Sequence, residues 1–117
     1  MRNIDEWINK LSNEDSLIVV EGKKDKIALN RLGIENIYLI NKPIYSLIDM
    51  LTEKNKEIVI LTDLDKEGRK LYHKLKKGFQ RNGIKVNDRY RKYLFKNKIS
   101  HIQGLYTYYK NNSREAL

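Results

Sequence analysis

Residues 57–71 read EIVILTDLDKEGRKL. Ile58 to Leu61 is a continuous apolar run rich in β-branched residues, the pattern of a strand covered on both faces in a parallel sheet. The chain turns polar at Thr62. Leu71, Leu75 and Phe79 then recur at a spacing of four, which predicts a helix over 65–82 closed by Asn82-Gly83. Between strand and helix stands Asp63-Leu64-Asp65. On an extended backbone alternate side chains share a face, so both carboxylates point to one spot while Leu64 points to the core.

The same alternation extends to either side. Residues 3–12 predict a short helix with Ile4, Trp7, Ile8 and Leu11 on one stripe. Leu17 to Val20 is a second buried-strand pattern, ended by Glu21-Gly22. Lys23 to Leu32 predicts a helix with Ile27, Ala28 and Leu32 facing inward and Gly33 as its stop. Asn36 to Ile40 reads as another apolar strand, Pro43 opens a helix over 44–54, and Ile84 to Val86 is a short fourth strand. The segment from Asp88 to Lys110 is aromatic and basic and includes a helix near 102–111. Strands and helices joined by short loops predict an α/β fold: a Rossmann-like, mostly parallel four-stranded sheet with helices on both faces. Ligands of such sheets bind at the carboxyl ends of the strands. That directs attention to the residues after Val20, Ile40, Leu61 and Val86. The length, 117 residues, predicts a single domain, with its core over 16–90 and an aromatic, basic and helical extension over 91–117.

Glu21 ends the first strand. If the first and third strands are neighbours, it joins Asp63 and Asp65. Three crowded carboxylates repel one another unless a cation sits between them. Oxygen ligands select a hard ion, Mg²⁺ or Mn²⁺. The competing reading is that each acid caps the helix that follows it.

The chain has no cysteine and two histidines, which excludes disulfides, thiol catalysis and cysteine–zinc or iron–sulfur sites. No apolar run approaches the roughly 18 residues that span a bilayer, and the N-terminus lacks the apolar stretch of a secretory signal. The expected location is the cytoplasm, with no membrane partner. The formal charge is +9. It is concentrated: Lys66 to Lys98 holds thirteen Lys and Arg against Glu67 and Asp88, whereas residues before Lys66 hold nine bases and twelve acids. Such a block attracts polyanions through phosphate neutralisation, or else is a solvated helix surface.

Ile18 to Ala28, IVVEGKKDKIA, together with Ile60 to Leu71, ILTDLDKEGRKL, resembles the two signature motifs of the Toprim domain. That domain is shared by bacterial-type primases, type I and II topoisomerases, repair proteins, some nucleases and the ribonuclease that matures 5S ribosomal RNA. Glu21, Gly22, Asp63, Asp65 and Gly68 match the family pattern. The resemblance implies Mg²⁺-dependent phosphodiester chemistry on RNA or DNA. Asp63 and Asp65 would hold the ion, and Glu21 would act as general acid or base while helping to hold the metal. Gly22 would let a phosphate approach a helix start. Lys23, Lys24, Lys66 and Arg69 would neutralise phosphates, although each is also an ordinary surface charge.

The chain is too short to add a topoisomerase gate or the catalytic extension of a primase. It therefore looks like the small stand-alone Toprim proteins related to the 5S-maturing ribonuclease. Residues 99–105, ISHIQGL, resemble a late histidine-containing motif of that nuclease; on the residues alone, His101 among apolar neighbours reads as a packing residue. Tyr90, Tyr93, Phe95, Tyr106, Tyr108 and Tyr109 interleave with cations, so they can stack bases. Tyrosine suits half-buried surfaces, so most of these rings are expected to cover helices or to meet a second copy of the chain or a partner protein. Three functions stay open: a metal-dependent nuclease, a non-catalytic nucleic-acid-binding module serving a partner enzyme, and a phosphate-handling regulator or phosphatase. The last is disfavoured by the lone Glu21 after the first strand and by Glu67 two places after Asp65.

Overall fold

The computed structural model describes residues 1–115. Four strands, β1 (Leu17–Val20), β2 (Ile37–Leu39), β3 (Glu57–Ile60) and β4 (Lys85–Asn87), form one sheet. All neighbouring pairs are parallel, in the order β2-β1-β3-β4. The helices are α1 (Ile4–Ser12), α2 (Lys23–Arg31), α3 (Ile44–Lys54), α4 (Lys66–Arg81), α5 (Arg89–Lys96) and α6 (Leu105–Asn112), with one 3₁₀ turn over Ile102–Gly104.

Strand alternation divides the core into two layers, because successive side chains leave opposite faces of a sheet. Ile18, Val20, Val59 and Leu61 point to one face, where Ile4, Trp7 and Leu11 of α1, Leu29 of α2, Tyr90 and Leu94 of α5, and Leu105 of α6 cover them. Val19, Ile58 and Ile60 point to the other, against Leu47 and Leu51 of α3 and Tyr72, Leu75 and Phe79 of α4. The central strands are thus buried on both sides, as their unbroken apolar runs require. Trp7 is fully buried, and its indole N–H donates to the Tyr90 carbonyl at 3.0 Å, joining the first helix to the fifth.

Four details differ from the sequence reading. The run 36–40 forms the edge strand β2, and its residues are half-buried, since an edge strand has a neighbour on one side only. Ile27 is 57% exposed, while Ala28 and Leu32 are buried as expected. The basic tail holds a helix over 89–96 that the pattern does not reveal. The helix expected near 102–111 is a 3₁₀ turn followed by α6 over 105–112.

The unforeseen α5 has a specific cause. Helices α2, α4 and α5 end in the same Schellman arrangement. In each, the amide of the residue after the C-cap donates to the carbonyl three residues back and the next amide to the carbonyl five residues back: Gly33 to Asn30 and Ile34 to Leu29, Gly83 to Gln80 and Ile84 to Phe79, Lys98 to Phe95 and Ile99 to Leu94. The turn needs a left-handed residue. Gly33 and Gly83 fill it with φ of 83° and 78°, but in α5 the place is taken by Lys98 at 58°. The glycine that marks the other two stops is missing. A non-glycine residue pays a steric penalty there, so Lys98→Gly is expected to raise stability by about 1 kcal/mol in urea unfolding followed by circular dichroism. No change, or a loss, would show that the turn carries no such strain.

Candidate metal centre

β1 and β3 lie side by side, so the chain leaves both at the same end of the sheet. The last ladder contact is Leu61 N–H donating to the Val19 carbonyl at 2.8 Å. Beyond it, residues 62–65 have no neighbouring strand. Several of their backbone groups find partners elsewhere in the chain. The Asp63 amide donates to Glu21 Oε1 at 3.3 Å, and the Leu64 amide donates to the Ser100 carbonyl at 2.8 Å. The Arg91 guanidinium donates to the Thr62 carbonyl, to Thr62 Oγ1 at 3.0 Å and to the Asp63 carbonyl at 3.0 Å. Thr62 Oγ1 in turn donates to the Gly68 carbonyl at 2.7 Å.

The carboxylates sit on this loop with divided duties. Asp65 is the N-cap of α4: Oδ1 accepts from the Gly68 amide at 2.8 Å, while Oδ2 lies 3.5 Å from His101 Nε2. Asp63 Oδ1 accepts from the Ile102 amide at 2.9 Å. Ligand atoms of Asp63, Asp65 and His101 all lie within 4.8 Å of one another. Capping and clustering are therefore compatible, because a carboxylate has two oxygens. Glu21 approaches the same loop from β1 but lies outside that group of three; its Oε1 is engaged by the Asp63 amide. The cap expected of Glu21 falls instead to Asp25, whose Oδ2 accepts from the Gly22 amide at 3.1 Å.

His101 is half exposed and faces Asp65 rather than packing into the core. Its apolar neighbours Ile99 and Ile102 carry the packing and leave the imidazole on the acid side. Arg91 is the residue that sequence reading missed as part of the site: a guanidinium only 7% exposed, 4.3 Å above the Tyr72 ring. In the sequence it is one cation in a run of them, and nothing in its spacing distinguishes it.

Gly22 is extended, with φ −149° and ψ 175°, and the space where a Cβ would stand is open. Lys23 and Lys24 are exposed in the first turn of α2, and Lys66 and Arg69 in the first turn of α4. The cluster is electrostatically loaded. Burial first, and the Asp63 carboxylate next, hold the carboxyls of Glu21 and Asp25 above their ordinary values. Burial pulls Arg91 down, opposed by Tyr72, Glu21 and Asp63.

The carboxylates of Asp63 and Asp65, with Glu21 beside them, are oxygen donors of the kind a hard divalent ion such as Mg²⁺ or Mn²⁺ takes, whereas the His101 imidazole adds nothing to a preference for Mg²⁺. A parallel sheet carrying an acid after β1 and a pair of acids after β3 defines a class, the open α/β domains whose site lies at the carboxyl ends of the strands. The family is narrower. Residues 15–88 match the Toprim domain model, and the chain belongs to that family, whose members are associated with metal-dependent work on nucleic acids. It is 38% identical over 105 residues to a UPF0292 protein of Methanocaldococcus jannaschii, covering 85% of this chain and 82% of that one. It is 37% identical over 107 residues to a UPF0292 protein of Pyrococcus abyssi, covering 87% and 80%. A solved structure of a protein from Aquifex aeolicus superposes with a TM-score of 0.81 at 36% identity, covering 88% of this chain and 98% of that one.

Two outcomes follow from this geometry. A Cβ on Gly68 would lie 1.9 Å from the Asp63 carbonyl oxygen, a backbone atom that cannot swing aside. Gly68→Ala is expected to cost about 2–3 kcal/mol in urea unfolding; a neutral substitution would show that the loop does not rest on α4. The second concerns pH. A carboxyl with raised proton affinity in the fold opposes folding when ionised, and the opposition fades as pH falls through its folded-state value. Glu21→Gln is therefore expected to raise the unfolding temperature at neutral pH, with the gain shrinking as pH falls toward the ordinary carboxylate value of about 4. A pH-independent difference would contradict the cause assigned to the shift.

Proposed function

We propose that the chain is a small Toprim nuclease, or a nuclease subunit, that hydrolyses phosphodiester bonds in RNA or DNA with Mg²⁺ or Mn²⁺. The observation that supports this reading most is the gathering of Asp63, Asp65 and His101 within 4.8 Å at the strand ends, next to Glu21.

Asp63 and Asp65 are the residues that would hold the ion. When bound, it supplies positive charge to the oxygens of a phosphodiester. Glu21 is suited to moving a proton. Its carboxyl has a raised proton affinity, and its position is fixed by the Asp63 amide through Oε1. It can take the proton of an attacking water as the water oxygen bonds to phosphorus, the P–O bond breaks and the departing ester oxygen takes a proton from solvent. Arg91 acts differently: its hydrogen bonds go to the loop's backbone and the Thr62 hydroxyl, and fix where Asp63 stands. Open space over Gly22 and the exposed Lys23, Lys24, Lys66 and Arg69 at two helix starts are available to a phosphate backbone.

The test is a cleavage screen of structured RNAs and of single- and double-stranded DNAs, with metal and with chelator, joined to thermal unfolding. Wild type is expected to cleave only with Mg²⁺ or Mn²⁺. Saturating ion should also raise its unfolding temperature, by about 2.7 kcal/mol of stabilisation at a hundredfold excess over the dissociation constant. Asp63→Asn is expected to lose about 10²-fold or more in rate and to lose the thermal shift. Metal-independent binding without turnover on any substrate would favour a non-catalytic binding module instead.

A further inference from the structure

The basic block folds into α4, β4 and α5, and α4 and α5 carry a rim that borders the metal centre. At its middle stands Phe95, which is 71% exposed. It is the one large ring of α5 turned to solvent; Tyr90 and Tyr93 on the same helix are buried. Phe95 separates two grooves. One, of about 330 Å³, lies between α4 and α5 with Tyr72 as its second ring; the other, of about 420 Å³, runs along the far side of Phe95 past Leu94 and Ile99. Both end at Leu64, the residue between the two aspartates. The first groove also includes Arg91, which holds the Asp63 carbonyl, and the second includes Ser100, which accepts from the Leu64 amide.

Charge selects the occupant. Arg69, Lys76, Arg91 and Lys92 border the first groove and Lys96 and Lys98 the second, against Asp88 alone, which pairs with Lys76 at 4.0 Å and Lys92 at 3.3 Å. An apolar ring surrounded by cations is poorly matched to an apolar partner surface and well matched to a polyanion that carries flat rings. A duplex keeps its bases stacked inside, out of reach of a ring on a helix surface. An unpaired strand can offer a base to the ring and its phosphates to the lysines.

We propose that this rim is a binding site for single-stranded polynucleotide, with a base stacked on Phe95 and the adjoining phosphates held by Arg69, Lys76, Lys92, Lys96 and Lys98, leading the strand to the acid loop at Leu64. The proposal names the substrate class of the nuclease reading and rests on it. Its grooves are two sides of one path, since they share Phe95 and Leu64.

The experiment measures fluorescence anisotropy of labelled oligouridylate, oligothymidylate and a blunt DNA duplex in chelator, so that no cleavage intervenes. Wild type is expected to bind one or both single strands more tightly than the duplex, the two single-strand arms separating RNA from DNA. Phe95→Ala is expected to weaken single-strand binding about 5- to 150-fold and to leave duplex binding unchanged, and Phe95→Trp to preserve it. Because the ring is exposed, the variants are expected to match wild type in circular dichroism. Equal single-strand affinity of wild type and Phe95→Ala would overturn the proposal. So would a dimer in sedimentation that Phe95→Ala dissolves, because the ring would then be covered by a second copy. Unchanged binding by Phe95→Ala together with metal-dependent cleavage would sink this site and leave the nuclease reading. Ring-dependent binding with no cleavage by any metal would sink the nuclease reading and leave the site.

Discussion

The constraint on which the site depends is the unpaired backbone of residues 62–65. A strand that runs out of neighbours has amides and carbonyls that must find partners or water. Here the backbone partners come from different parts of the chain, Glu21 from the end of β1, Arg91 from α5 and Ser100 from the segment after α5, while the side chains of Thr62 and Asp63 are held by the Gly68 carbonyl of α4 and the Ile102 amide. The geometry of the two aspartates is thus set by tertiary contacts. Asp63 cannot shift without disturbing an amide that Glu21 accepts from and a carbonyl that Arg91 donates to. Asp65 cannot shift without uncapping α4. A site held this way is preorganised, with its acids close together before any cation arrives.

That arrangement also explains why the C-terminal quarter matters. The family match ends at residue 88, yet Tyr90, Tyr93, Leu94, Ile99, Ile102 and Leu105 belong to the first hydrophobic layer. The buried apolar side chains fix α5 and the 3₁₀ turn against the sheet, and that packing places Arg91, Ser100, His101 and Ile102 on the acid loop. Arg91 has a further role in the charge balance. Its burial is costly, but it makes three hydrogen bonds, lies over the Tyr72 ring, and feels the carboxylates of Glu21 and Asp63. A buried cation below a group of acids lowers their mutual repulsion without occupying the space between them.

The sheet was legible because burial on both faces writes itself as unbroken apolar runs at 17–20 and 58–61, and the stops of α2 and α4 were legible because glycine occupies the left-handed position. The acids were legible because Asp63 and Asp65 follow one of those runs and Glu21 the other. Three features had no such signal. α5 ends on Lys98 in the place a glycine marks elsewhere, and its buried face includes an arginine, so hydropathy periodicity is blurred. Arg91 looks like its basic neighbours until its carbonyl partners are known. His101 lies between Ile99 and Ile102, whose burial suggested packing for all three; the chain turns there, so adjacent residues face opposite ways. Each depends on a long-range contact, which local pattern does not encode.

Charge separation follows from the same folding. The acids gather at the ends of β1 and β3, at the centre of the sheet, while the thirteen cations of residues 66–98 are carried by α4, β4, α5 and the turn after it, with Lys66, Arg69 and Arg91 nearest the acids. A polyanion approaching the acid loop meets repulsion from Asp63, Asp65 and Glu21 and attraction from the rim beside it. On the proposed reading neither feature alone would suffice: the acids would repel a phosphodiester backbone, and the lysines would hold it without acting on it. Leu64, between the two aspartates, lines both basic grooves, so the acids and the cations lie side by side, and a divalent cation among the acids would offset their charge.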